Sequence, residues 1–242
     1  MKTLLDIRGV CKSFGGFAAL TDVDLKIGEG ERFGLIGPNG SGKTTLINCV
    51  SGALFNEKGT ISFDGEPVAK LPAYQRTRRG IARSFQIPRP FRTMTVLENL
   101  MVPLEYIVHR GSLHLGHEAE AEAMAILRDM GLADKARTLS SQLSQVELRK
   151  LELARAMAAR PRLLISDEAM AGLSGSEVDE VLKILFTLNE KGITIIMIEH
   201  IMQAVMRFSQ RVVCLDAGRI ICEGAPAEIV QNPHVQKAYL GA

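Results

Sequence analysis

Gly37-Pro-Asn-Gly-Ser-Gly-Lys43-Thr44-Thr45 fits the pattern G-x-x-x-x-G-K-[ST] without a mismatch. The segments on either side of it are those such a loop needs. Upstream, Glu31-Arg-Phe-Gly-Leu-Ile36 reads as a short buried strand. Downstream, Lys43 to Val50 reads as a helix that opens directly on the loop. Gly37, Gly40 and Gly42 let the backbone turn tightly and point N–H groups inward, where a side chain would block a phosphate. A helix beginning near Gly42 adds unpaired N–H donors and about half a positive charge at its N-terminus. Lys43 supplies a mobile full charge for the outer phosphates, and the Thr44 hydroxyl can ligate Mg²⁺. The whole loop, Pro38, Asn39, Ser41 and Thr45 included, is read as the seat of a nucleoside triphosphate.

The 242 residues suffice for one large α/β core with a second small lobe. Lys and Arg number 29 against 27 Asp and Glu, a net charge of +2 that gives no sign of a nucleic-acid partner. Cys11, Cys49, Cys214 and Cys222 form no C-x-x-C pair and no zinc spacing, and read as reduced thiols of a cytoplasmic protein. Asp6 and Arg8 interrupt any signal-peptide core at the start. The apolar run Ile193 to Ile198 is far short of the roughly 20 residues a membrane helix needs.

Leu4 to Val10 and Ala18 to Ile27 read as strands of a β-rich, antiparallel segment, separated by a turn at Phe14-Gly15-Gly16. Thr60-Ile-Ser-Phe63 is a further strand. From Pro67 to Leu97 stand Lys70, Arg76, Arg78, Arg79, Arg83, Arg89 and Arg92 with no acidic residue. That run reads either as a solvated basic face or as a surface for a membrane-embedded partner or anionic headgroups. Residues 95–158 read as mostly helical. The histidines His109, His114 and His117 read as an exposed loop, since Gly111 and Gly116 interrupt it and no further ligand completes a metal site.

Ser144-x-x-Glu147 is a capping box opening a helix to Ala159. Leu163-Leu-Ile-Ser-Asp167-Glu168 is an apolar strand ending in two carboxylates. Ile193 to Ile198 is another, ending in Glu199-His200. Strands separated by helices and ending in polar residues are the mark of a parallel sheet with its ligand at the strand ends. Asp167 is placed to hold Mg²⁺ through water opposite Thr44. Glu168 is placed to polarise a water attacking the γ-phosphate, and His200 to bond that phosphate or the water.

With these motifs the chain resembles the ATP-binding subunits of ABC transporters along its whole length. Gly37 to Thr45 match Walker A, Leu163 to Glu168 Walker B, and Ala171-Gly-Leu-Ser174 the D-loop region. Gln86 matches the Q-loop glutamine, Phe14 the base-stacking aromatic and His200 the switch histidine. Leu143 to Glu147 lie where the signature belongs. The chain is most similar to the branched-chain amino-acid importer ATPases, through Phe33 to Gly40, Gly80-Ile-Ala-Arg-Ser-Phe-Gln86, Met94-Thr-Val-Leu-Glu-Asn99 and the tail Asn232 to Gly241. The lipopolysaccharide-export ATPase shares a similar core and tail.

The resemblance implies a P-loop, RecA-like α/β core with an antiparallel β edge, in two parts (1–86 and 160–242), and an inserted helical lobe at 87–159. It implies ATP and Mg²⁺ as cofactors, with Thr44, Gln86 and Asp167 at the metal and Lys43, Gln86, Glu168 and His200 in catalysis. It also implies a head-to-tail dimer in which Ser144, Gln145, Val146 and Glu147 close over the partner's ATP. The expected partners are membrane permeases docking near Gln86 and, through them, a periplasmic solute-binding protein, with this chain on the cytoplasmic face of the membrane. Three positions depart from the pattern. The usual L-S-x-G-Q reads Leu143-Ser-Gln-Val146-Glu147, Ala169 stands where Pro is usual, and Ser166 replaces an aliphatic residue. A Val at 146 restricts the backbone where close approach to a phosphate is required. It points to a heterodimer with a second ATPase, or to a dimerising module that hydrolyses ATP weakly.

Overall fold

The computed structural model describes residues 2–108 and 116–240. β1 (Thr3–Phe14) and β2 (Phe17–Gly28) form a long antiparallel hairpin, turning at Gly15 with φ +58°. β3 (Arg32–Ile36) then leads through the glycine-rich loop into α1 (Lys43–Ser51). β4 (Lys58–Phe63) and the two-residue β5 (Glu66–Pro67) return to the hairpin and complete a four-stranded antiparallel sheet of order β2-β1-β4-β5. Next come α2 (Ala73–Arg78) and β6 (Ile81–Ser84). They are followed by α3 (Val96–Pro103), which widens into a π-helical turn at Leu104–Val108. The helices α4 (Gly116–Asp129) and α5 (Gln145–Met157) lead to β7 (Leu163–Asp167), α6 (Gly175–Glu190) and β8 (Thr194–Ile198). α7 (Met202–Phe208), β9 (Arg211–Asp216), β10 (Arg219–Gly224), α8 (Pro226–Gln231) and α9 (Pro233–Leu240) end the described chain.

The second sheet has six strands in the order β10-β9-β3-β8-β7-β6, parallel except for β10. Its central strands, β3, β7 and β8, are mostly apolar because both faces are covered. Phe33, Leu35, Leu163, Ile165, Ile196, Ile198, Val213 and Leu215 face the antiparallel sheet, with α1 wedged between the two sheets through Leu46, Ile47, Cys49 and Val50. Ile36, Leu164, Ile195, Met197, Val212 and Cys214 face the other way, into a layer built by α3 to α8. Gly34 marks a close contact with that layer. A Cβ there would stand 2.7 Å from the Ser209 hydroxyl and 3.1 Å from Val205. The parallel sheet thus points the C-terminal ends of β3, β7 and β8 at one place, the setting for a ligand in this architecture.

The basic run is not a single surface. Arg76 is fully buried, and its guanidinium donates to the carbonyls of Leu71 (2.8 Å), Val50 (2.9 Å), Ala69 (2.9 Å) and Cys49. Two of those carbonyls end α1, so the cation satisfies orphan acceptors at the negative end of the phosphate-loop helix. Reading Arg76 as part of a solvated or docking face fails on that geometry. Arg83 is also largely enclosed, whereas Arg78 and Arg79 are exposed. β6, which carries Arg83, was hidden in the same run. His117 lies exposed on α4, and His109 and His114 lie outside the described residues.

Arg76→Ala removes a buried cation and leaves four carbonyls to find other donors. We expect it to lower unfolding free energy by at least about 3 kcal/mol, while Arg78→Ala and Arg79→Ala stay within about 0.5 kcal/mol. Urea denaturation of the three variants checks this. Equal effects would return Arg76 to the surface.

Candidate functional site

The loop's shape follows from what crowds it. A Cβ on Gly37, at φ +151°, would lie 2.1 Å from the carbonyl oxygen of Leu215, and one on Gly42, at φ +106°, 2.6 Å from that of Ala19. Gly40, at φ +78°, has open space where its side chain would stand. The end of β9 and the start of β2 therefore press the loop into its turn, with its mouth left free. Lys43, only 6% exposed, reaches back along the loop and donates to the carbonyls of Gly37 (2.6 Å) and Pro38 (2.9 Å). Burial lowers its ammonium pKa, and the carboxylates of Glu168 and Asp167 oppose that shift.

A cavity of about 240 Å³ lies over this loop. Asn39, Gly40, Ser41, Gly42, Lys43, Thr44 and Thr45 line it together with Phe14, Phe17, Glu168 and His200. Asn39 to Thr45 of the predicted loop, with Lys43 among them, and the predicted catalytic residues Glu168 and His200 are thus brought to one space, while Gly37 and Pro38 stand outside its lining. Phe14 is there, 48% exposed with the Lys12 ammonium 5.3 Å from its ring centre, and so is Phe17, which sequence reasoning did not single out. The hairpin register pairs Phe14 with Phe17, so one turn supplies two aromatic faces.

Glu168 is the hub of the remaining contacts. It follows the end of β7 in a left-handed conformation, φ +47°, which costs a non-glycine residue of order 1–3 kcal/mol and is tied down by its N–H bond to Ile198 O at 2.9 Å. One carboxylate oxygen accepts from the Gln86 amide at 2.5 Å, and the other stands 2.9 Å from His200 Nε2. Gln86 and Asp167 do not line the cavity, but each is linked to a residue that does. Gln86 reaches it through Glu168, and Asp167 is close enough for its charge to act on Lys43. Asp167 Oδ2 is ion-paired with Arg83 at 2.5 Å. The donors Thr44 Oγ1, Asp167 and the Gln86 amide oxygen are all hard oxygens, the set that suits Mg²⁺.

Ser144, Gln145, Val146 and Glu147 are not brought to this cavity. They open α5 elsewhere, with Ser144 N–H donating to Glu147 Oε2 at 2.8 Å and Glu147 N–H to Ser144 Oγ at 3.4 Å. Lys135 pairs with the other Glu147 oxygen at 2.5 Å and lowers its pKa. Glu147 therefore turns back on the cap, as the capping box in the sequence predicts.

Three contacts were not foreseen. Arg149, buried on α5, donates to Gln86 O and, at 3.2 Å, to Ala171 O, tying α5 to the segments on either side of Glu168. Tyr239, on α9, accepts the Gly37 N–H at 2.8 Å, so the C-terminal helix holds the first residue of the phosphate loop. Glu199 is 2% exposed and accepts the Met170 N–H at 2.9 Å. Burial, reinforced by Glu168 and Asp167, raises its pKa to about 7. Only the dipeptide Glu199-His200 at a strand end signalled any of these.

With the geometry in place, comparison with known proteins is decisive. The family model described as ABC transporter matches residues 20–171. The chain belongs to that family. It is an ATP-hydrolysing cassette of the P-loop fold, and a second model, branched-chain amino acid ATP-binding cassette transporter, matches residues 219–242, the region of α8 and α9. A high-affinity branched-chain amino acid transport ATP-binding protein, BraF of Pseudomonas aeruginosa, is 36% identical over 99% of this chain and 98% of its own length. A lipopolysaccharide export system ATP-binding protein of Haemophilus influenzae, LptB, is 33% identical over 99% of this chain and 98% of its own. Among solved structures, the ADP conformation of an ATP-binding cassette of an ABC transporter superposes with a TM-score of 0.90 at 29% identity, covering both chains fully. A dimeric bacterial ABC transporter cassette superposes with a TM-score of 0.83 at 27% identity, over 92% of this chain and 99% of that one. Among the described residues no helix is long and apolar enough to cross a membrane.

The raised pKa of Glu199 sets a pH dependence. Its folded pKa stands above the unfolded value, so the folded state holds this proton more tightly. The stability this contributes is full below about pH 4.5 and is lost as pH rises through about 7. Glu199→Gln keeps an acceptor for Met170 and cannot ionise. Measured by urea denaturation of the nucleotide-free chain, wild type should lose up to about 3 kcal/mol relative to this variant between pH 5 and pH 8. A difference that is flat across that range would show Glu199 to be ionised in the fold throughout.

Proposed function

We propose that this cassette powers import of branched-chain or related amino acids through separate membrane permeases, on the cytoplasmic face of the membrane. The observation that carries its catalytic half is Glu168, held between Gln86 and His200 at the edge of a cavity floored by the phosphate loop. The import half is supported by the named function of BraF and by the tail match over 219–242.

In this reading Phe14 stacks on the base and the loop N–H groups with Lys43 hold the phosphates, the lysine leaving the carbonyls of Gly37 and Pro38 to do so. Glu168 accepts a proton from the attacking water. His200 keeps the Glu168 carboxylate turned toward the cavity, and Gln86 carries changes in the neighbouring segment to it. Thr44, Asp167 and Gln86 hold Mg²⁺, which when bound offsets phosphate charge. Residues 87–159 act as the helical lobe. Permeases dock where Phe85, Ile87 and Tyr106 are exposed beside a groove of about 310 Å³, and a periplasmic solute-binding protein acts through them.

The second ATPase of the dimer is a different chain. Val146 stands at the second residue of α5, where the signature must approach the partner's γ-phosphate. Two copies of this chain would carry two impaired sites. A heterodimer keeps one good site, in which Lys43 and Glu168 meet the partner's signature.

In the assembled transporter, Glu168→Gln should retain ATP binding and lower turnover at least about a hundredfold, read by steady-state phosphate release. Near-normal turnover would remove Glu168 from the base role. Lys43→Ala here should cost far more turnover than the matching change in the partner, and Val146→Gly should raise activity mainly at the partner's site. Full transporter rates from the homodimer alone would refute the asymmetry.

A further inference from the structure

Arg83 touches two places at once. On one side its guanidinium donates to Asp167 Oδ2 at 2.5 Å and to Asn48 Oδ1, on α1, at 2.6 Å. On the other it lies 5.4 Å from the ring centre of Phe85, and both residues line the 310 Å³ groove between α1, α2, β6, α5 and the end of α3 with its π turn. The pair is enclosed, with the Arg83 side chain 11% and the Asp167 side chain 9% exposed. The guanidinium is a planar fork whose plane is fixed by its bonds to Asp167 and Asn48 and by the Phe85 ring beside it, so a shift of that ring displaces the group that grips the carboxylate. The fork also spans the end of β7 and the phosphate-loop helix, the two elements whose separation sets the site.

We infer that Arg83 is a positioning residue for Asp167 and carries the state of the groove wall to it. An occupant pressing on Phe85 changes how Asp167 stands toward the cation of Mg·ATP. This rests on the reading of Asp167 as the cation's carboxylate and, for the natural occupant, on the permease docking proposed above. Removing Arg83 takes a positive charge from beside Asp167, which strengthens its pull on a cation, and frees the carboxylate to turn. A residue of purely structural importance would weaken binding and turnover together.

The test measures equilibrium binding of a fluorescent ATP analogue by the full chain, with and without Mg²⁺, alongside turnover. Arg83→Gln should increase the tightening produced by Mg²⁺ about fivefold or more and cut turnover about tenfold. Arg83→Lys, which keeps the charge but not the fork, should restore the Mg²⁺ effect and only part of the turnover. Ala53 is exposed on the groove wall and absent from the lining of the phosphate-loop cavity, so Ala53→Trp is used to fill the groove. It should change the Mg²⁺ effect at least threefold in the Arg83 background and not at all with Arg83→Gln, a coupling that a double-mutant cycle isolates. Thermal melts confirm that each variant is folded. An Ala53→Trp shift that is the same in both backgrounds, or absent in both, overturns the inference. So does parallel loss of binding and turnover in Arg83→Gln. Asp167→Asn separates the two readings. If it leaves the Mg²⁺ effect unchanged, the cation reading falls, whereas a changed Asp167→Asn with an unchanged Arg83→Gln removes only Arg83.

Discussion

The site depends on one reversal of the chain, between Ile36 and Lys43. At Gly37 and Gly42 the neighbouring backbone leaves no room for a side chain, because the carbonyls of Leu215 and Ala19 lie where a Cβ would go. The loop is thus shaped by β9 and β2 rather than by its ligand. Its first N–H is held by Tyr239, and its carbonyls are held by Lys43. The helix that follows is fixed at the far end by Arg76, beneath the antiparallel sheet. A phosphate arriving at the mouth meets N–H groups already ordered, so little ordering entropy remains to oppose binding.

Anchoring the loop this way places charge in a poorly solvated region, and the surrounding residues show how it is balanced. Lys43 is drawn down in pKa by burial and back by two carboxylates. Asp167 has Arg83, and Glu168 has Gln86 and His200. Glu199, further in, has a backbone N–H and the more distant field of Arg149, and its pKa rises. Such groups are coupled, and moving one changes the electrostatic environment of the others. Arg149 adds a mechanical link, since it grips Gln86 O and Ala171 O from α5. Displacement of α5 therefore reaches both flanks of Glu168.

The parts legible in sequence were those encoded locally. The glycine spacing, the capping box at Ser144 and the carboxylates closing an apolar strand each occupy a few consecutive residues, and all stand where their pattern placed them. What escaped was long-range. Arg76 sits in a run of cations that reads as surface, because nothing local shows that carbonyls 26 and 27 residues upstream await it. Ile81-Ala-Arg-Ser84 is too short and too basic to announce a buried strand, yet pairing with β7 makes it one. Tyr239 lies 202 residues from Gly37. Resemblance to a family could mark that tail, but only the fold shows that it supports the phosphate loop.

The altered signature is best understood from the cap it forms. A helix start leaves its first N–H groups without intrahelical partners. In α5 the box uses those of Ser144 and Glu147, and the first intrahelical bond is from Leu148 to Ser144 O at 2.9 Å. The N–H groups of Gln145 and Val146 fall between, outside both sets, and point the positive end of the helix outward. Glu147 is the obvious threat to an anion there, but its carboxylate is folded into the cap and paired with Lys135. Its charge is thus largely offset at short range. What distinguishes this helix end from one bearing glycine is then the Val146 side chain, half-buried, together with the backbone freedom it removes. On the proposed reading of this helix end, the defect is one of approach rather than of electrostatics. In the dimer proposed above, a phosphate would be attracted to this end and held at a greater distance, which would slow closure over the partner's nucleotide while leaving this chain's own loop, Lys43 and Glu168 untouched.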